Sequence, residues 1–87
     1  MNVQHSITIS PGYTIEIGES SWDPADRSIR NRKTTAGGGF SPRSSSEVPS
    51  YDMANMVSAG ADYDEFDDAD AWTMINKLVA MLQRRHP

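Results

Sequence analysis

Hydrophobic and polar residues alternate near the N-terminus. In "SITIS" and "YTIEI", Ile7, Ile9, Tyr13, Ile15 and Ile17 all occupy odd positions, the period of two expected of a strand with one covered face. Pro11-Gly12 separates the runs without changing their parity. Proline cannot donate to a ladder, so the site reads either as a turn between two strands or as a kink in one edge strand. "RSIRNRK" offers a third strand anchored on Ile29, and a short fourth is expected near Phe40.

The period then changes. Residues 34–46 are rich in Gly, Ser and Pro, and three successive glycines are entropically expensive to order, which predicts a flexible loop. Ser50 is placed to cap a short helix over "YDMANMVSA", with Met53, Met56 and Val57 on one side and Gly60 as its stop. Trp72, Ile75, Val79 and Leu82 recur at intervals of three and four, flanked by Met74, Leu78 and Met81. That spacing predicts a helix from Asp68 to Arg85, roughly 26 Å long at 1.5 Å per residue.

These elements predict an α+β fold in one domain, residues 1–87. A small antiparallel sheet over residues 5–42 packs against the long C-terminal helix, and the short helix completes the core. Ile7, Ile9, Ile15, Ile17, Ile29, Val57, Trp72, Ile75, Val79 and Leu82 are expected to be mostly buried, with Met53, Met56, Met74 and Met81 as adaptable fillers.

Length and composition narrow the chemistry. A chain of 87 residues buries a modest fraction of its surface and is marginally stable without a staple. It has no cysteine, which removes disulfides, thiolate metal sites and thiol nucleophiles. No apolar run approaches the roughly 20 residues that span a bilayer, and Met1 does not open a signal peptide. A soluble, cytoplasmic protein is expected.

The net charge of −4 conceals two blocks of opposite sign. Arg27, Arg30, Arg32, Lys33 and Arg43 occur with no acid among residues 27–43, whereas Asp62, Asp64, Glu65, Asp67, Asp68 and Asp70 follow with no base between them. Asp67 or Asp68 can cap the last helix, Asp70 sits in its first turn, and Arg84 and Arg85 suit its negative end. Asp62, Asp64 and Glu65 have no such use, and would repel their neighbours unless salt, an ion or a partner offsets them.

No catalytic or cofactor motif accommodates the remaining polar residues. A calcium loop started at Asp62 meets Phe66 at position 5 and Thr73 at position 12, and one started at Asp64 meets Phe66 at position 3, so both registers fail. "AGGGFSPRSSS" lacks the Lys-Ser/Thr of a Walker loop, and Ser44, Ser45 and Ser46 lack a nucleophile elbow. His5 and His86 lie near opposite termini, too few and too distant for a zinc site. Glu16 and Glu19 form an acid–base pair only on paper, since strand parity turns Glu16 to the polar face. A non-enzymatic protein without cofactor or metal is expected.

Two binding readings remain. Arg27, Arg30, Arg32, Lys33 and Arg43, with Trp22 and Phe40 at the edges of the segment, combine phosphate-tracking cations with base-stacking faces, the combination used for single strands. In element order, a sheet followed by a helix, the chain resembles whirly-type transcriptional coactivators, which implies single-strand binding as a dimer.

In the other reading the acids are the active surface. Asp62, Asp64, Glu65, Asp67 and Asp68, with Tyr63 and Phe66 interleaved as apolar anchors, can meet a basic groove that ordinarily holds phosphates. In size, in lacking catalytic groups and in its residue 62–70 cluster, the chain resembles the small acidic phage-encoded inhibitors of host defence, anti-CRISPR proteins among them. That resemblance implies a CRISPR effector or another nucleic-acid-handling complex as partner, in the host cytoplasm, with inhibition by occlusion. This is the leading expectation, with the single-strand-binding regulator as its alternative and a homodimer through the last helix as a third, structural option.

Overall fold

A computed structural model describes residues 1–42 and 45–87. It comprises two compact units, Met1–Asn55 and Met56–Pro87. The elements are β1 (Asn2–Ser10), β2 (Tyr13–Glu19), β3 (Arg27–Lys33), β4 (Ser46–Pro49), α1 (Ser50–Asp62) and α2 (Asp68–Arg85). The α+β class expected from the sequence is correct, and the longer helix is the C-terminal one. No helix among the described residues is long and apolar enough to cross a membrane.

The strands form one antiparallel sheet in the order β1-β2-β3-β4. Pro11-Gly12 is a turn, with Ser10 opposite Tyr13 and Gly12 at φ 78°. A positive φ after proline is what a turn of this kind demands, and glycine meets it without a Cβ penalty. Thr34 braces the turn by donating its N–H to the Gly12 carbonyl at 3.0 Å.

The fourth strand is not at Phe40. Phe40 makes an isolated bridge to Thr34, closing a tight turn in which Gly38 N–H donates to the Thr35 carbonyl at 2.9 Å. The strand proper is "SEVP", where Val48 lies opposite Ile29. The sheet therefore runs to residue 49, not 42.

Register sorts the side chains onto two faces. Ile7 lies opposite Ile15, Ile17 opposite Ile29, and Ile29 opposite Val48, so these apolar residues share one face. Glu16 lies opposite Arg30 and Thr14 opposite Arg32 on the other face. The register of β1 slips between Val3 and His5 and again between Thr8 and Ser10, so Ile9 sits at an irregularity and not in the core position that simple alternation predicts.

The core expected from periodicity is not enclosed. Among the described residues no hydrophobic side chain is buried; Ile15, Ile17, Ile29 and Val57 are half-buried, and Ile7, Ile9, Trp72, Ile75, Val79 and Leu82 are exposed. The physical reason is that period identifies a face and not its cover. The methionines follow suit: Met53 and Met56 are exposed, Met74 and Met81 half-buried.

The most enclosed positions of the sheet carry small residues. Ser28 is fully buried, with no hydrogen-bond partner for its hydroxyl among the described residues, and Gly18 opposite it is also buried. A Cβ on Gly18 would overlap the Asn2 carbonyl oxygen, so the backbone of β1 approaches here as only glycine permits. Gly18→Ala is accordingly expected to cost about 1–3 kcal/mol in urea denaturation. Gly37→Ala, where the nearest atom to a new Cβ is Thr35 Oγ1 at 3.9 Å, should leave the midpoint nearly unchanged.

Candidate functional site

The acidic stretch is the connection between α1 and α2, and its shape follows from how each helix ends. Gly60 does not stop α1, which continues to Asp62. The stop is Asp64, at φ 57°, a left-handed conformation that aspartate tolerates better than most residues. Glu65 N–H donates to the Gly60 carbonyl at 2.9 Å and Asp64 N–H to the Ala61 carbonyl at 3.2 Å. Together these two bonds make a Schellman motif. The Phe66 ring completes it, lying where a Cβ on Gly60 would come within 2.9 Å of Cε2 and Cζ. Gly60 thus gives the ring a close seat, which an added Cβ would displace.

The next helix begins three residues later. Asp67 is the N-cap, in extended backbone at φ −72°, ψ 165°, and its carboxylate accepts from Asp70 N–H at 2.8 Å. Asp68 and Asp70 occupy the first turn, and Arg84 and Arg85 the last. All of these placements complement the helix dipole. His86 closes the far end, its N–H donating to the Leu82 carbonyl at 2.9 Å.

The two ends sort the acids. Asp67, Asp68 and Asp70 stabilise α2, whereas Asp62, Asp64 and Glu65 stand at the C-terminal end of α1, where the dipole is already negative and a carboxylate is unfavourable. The last turn of α1 contains no base. Within the helical unit, no ion pair among the described residues engages any of these carboxylates. Asp62, Tyr63, Asp64, Glu65, Asp67 and Asp68 are all exposed, Tyr63 to 80%, and Phe66 is half-buried. Of the two apolar residues in the stretch, Tyr63 is available to a partner and Phe66 is an internal anchor.

The basic residues do not form one track. Arg30 and Arg32 project from the polar face of the sheet, with their guanidinium carbons 5.1 and 5.7 Å from the Phe40 ring centroid. Arg30 is also paired to Glu16, both Nε and an Nη reaching one carboxylate oxygen at 2.9 and 2.7 Å. Glu16 is therefore on the polar face as expected but is a half-buried ion-pair member, not a solvated carboxylate. Strand alternation sends Arg27 and Lys33 to the opposite face. There Arg27 donates to Gln4 Oε1, and Lys33 Nζ lies 3.8 Å from the Tyr13 ring centroid. Trp22 is in the β2–β3 connection, its Nε1–H donating to Asp26 at 3.3 Å. Arg43 lies outside the described residues.

Sequence reasoning missed the Schellman turn, because aspartate stands where glycine ordinarily signals it. The available signal was Phe66, an aromatic six residues after Gly60. Among the described residues, no group of three or more His, Cys, Asp or Glu is arranged to hold a metal ion.

The caps can be checked by thermal or urea unfolding. Asp67→Ala should destabilise the protein by about 1 kcal/mol through the lost cap. Asp64→Gly should instead stabilise it by roughly 1 kcal/mol, since it relieves both the left-handed strain and a carboxylate at a helix C-terminus. Comparison with protein-family models, with curated proteins and with solved structures finds no match to this chain.

Proposed function

We propose that the chain is a non-enzymatic inhibitor that presents the acidic connection at residues 62–68 to a basic protein surface. The observation that carries this reading is the position of Asp62, Asp64 and Glu65 at the negative end of α1, exposed. Carboxylates so placed work against the helix that bears them, by roughly 0.3–1 kcal/mol each. Residues that contradict local stability without compensation are where function is expected. Tyr63 adds an aromatic surface beside them, of the kind that supplies affinity once charge has steered the encounter.

The partner class follows from the charge. A surface basic enough to accept these spaced carboxylates is typically one that holds phosphates, so occlusion of a nucleic-acid groove is the mechanism, as in anti-CRISPR inhibitors acting on a CRISPR effector in the host cytoplasm. The scaffold contributes rigidity. The Schellman turn and the Asp67 cap fix the backbone on both sides of Asp64 and Glu65, so little ordering entropy is spent on binding.

A second reading is favoured by one feature, the exposed Phe40 ring flanked by Arg30 and Arg32, which suits a stacked base beside a phosphate. It ranks below the first because Glu16 already offsets Arg30 and the remaining described cations of the segment lie on the other face.

The inhibitor reading predicts that the chain displaces target DNA from a guide-loaded CRISPR effector in a gel-shift competition. A triple variant, Asp62→Asn, Asp64→Gly and Glu65→Gln, should fold at least as well and lose about tenfold or more in potency, with the wild-type effect weakening as salt rises. Equal potency of the triple variant would remove the acidic surface from the mechanism. For the second reading, a labelled single-stranded oligonucleotide should be retarded at low salt by the wild-type chain and released by Arg32→Ala with Phe40→Ala. No retardation at low salt would dispose of it.

A further inference from the structure

The structure assigns an occupant to the exposed face of α2: we infer that it is a second copy of the same helix, running antiparallel. Trp72, Ile75, Val79 and Leu82 form one row along α2, and each is between 48% and 64% exposed. Ala71, Met74 and Met81, one position away around the helix, are half-buried. The helix therefore has a partly covered stripe and, beside it, an open one.

The open row has the spacing of a coiled-coil seam, three-four-three, the alternation of a and d positions. It is also symmetric about position 77. When a second α2 is laid antiparallel, Trp72 falls opposite the partner's Leu82 and Ile75 opposite the partner's Val79. Both pairs recur by the two-fold axis, so one row makes a closed, self-complementary interface.

Charge decides the direction. A parallel pair would keep the same apolar row in contact, but it would bring Asp67, Asp68 and Asp70 against their own copies at one end and Arg84 and Arg85 against theirs at the other. An antiparallel pair sets acidic ends against basic ends, with Asp68 at the level of the partner's His86 and beside the partner's Arg85. The helix dipoles then oppose as well. Like charges at both ends against unlike charges at both ends is a sufficient reason for one orientation.

Area is adequate. Five large side chains about half exposed, the four of the row and Leu78, represent roughly 500 Å² per chain and about 1,000 Å² per pair, the lower bound for a specific interface. Asp62, Asp64 and Glu65, the acids that carry the proposed function, precede α2 and take no part in the seam, whereas Asp67 and Asp68 of the same connection lie at its acidic end.

Sedimentation equilibrium of the full chain at about 100 μM should give close to twice the chain mass of 9.6 kDa, and Ile75→Glu with Val79→Glu should return it to a single chain. A monomeric wild type overturns the proposal, as does a dimer that survives both substitutions. Because the chain has no cysteine, orientation can be read by oxidation of single-cysteine variants. Trp72→Cys and Leu82→Cys should each fail to cross-link alone, their like positions being about 15 Å apart along the axis, and should cross-link when mixed. Cross-linking of either variant alone would mean a parallel pair and overturn the assignment.

Discussion

The shortage of enclosed apolar area governs this molecule. Strand ladders and the caps of α2 pair much of the backbone, yet no hydrophobic side chain among the described residues is buried, and backbone hydrogen bonds alone contribute little net stability because water competes for them. A chain of this length has little margin to begin with. The isoleucine face of the sheet in one unit and the apolar row of α2 in the other are thus each incompletely enclosed.

Electrostatics at the α1–α2 connection makes a different demand. Two helix ends of opposite polarity meet within five residues, and a single acidic stretch crosses from one to the other. After Phe66 the acids are placed as a helix start requires; before it they oppose the helix they terminate. The same side-chain chemistry is stabilising or destabilising according to which dipole end it faces. Local structure alone therefore separates the acids that support a helix end from those that oppose one. Phe66 marks the division, its ring packed close to Gly60 beside a turn held by the Glu65 and Asp64 backbone hydrogen bonds.

Much of this was legible in the residues. The limits of α2, Asp68 and Arg85, follow from a cap, an apolar row and terminal charges that agree with one another, and consistency across signals makes a helix readable. The hairpin at Pro11-Gly12 could be placed but not distinguished from a kink, because proline and glycine suit either; the ladder from Ser10 to Tyr13 decides it. β4 was obscured by having one strongly apolar residue, Val48, after a loop of small residues. Gly60 was misleading for a physical reason: glycine at a helix end serves either left-handed backbone or close approach, and here the left-handed residue is Asp64 while Gly60 makes room for a ring. Burial was the least legible property, since periodicity reports an orientation and enclosure depends on a second surface.

The basic segment shows how parity limits a charge-based reading. Five cations within seventeen positions suggest one patch when they are read along the chain. In a strand, however, side chains two apart share a face and neighbours do not, so Arg30 and Arg32 belong together while Arg27 and Lys33 fall opposite. Across the ladder, Glu16 then neutralises one member of the pair that remains. A phosphate track needs cations in series along one surface, and the described residues leave Arg32 and an exposed Phe40 as its core. The acidic connection has the reverse property: a turn is not bound by alternation, so Asp62, Asp64 and Glu65 all stay exposed within four residues. Charge density along a sequence becomes charge density in space only where the backbone allows it, and in this chain it does so at the turn.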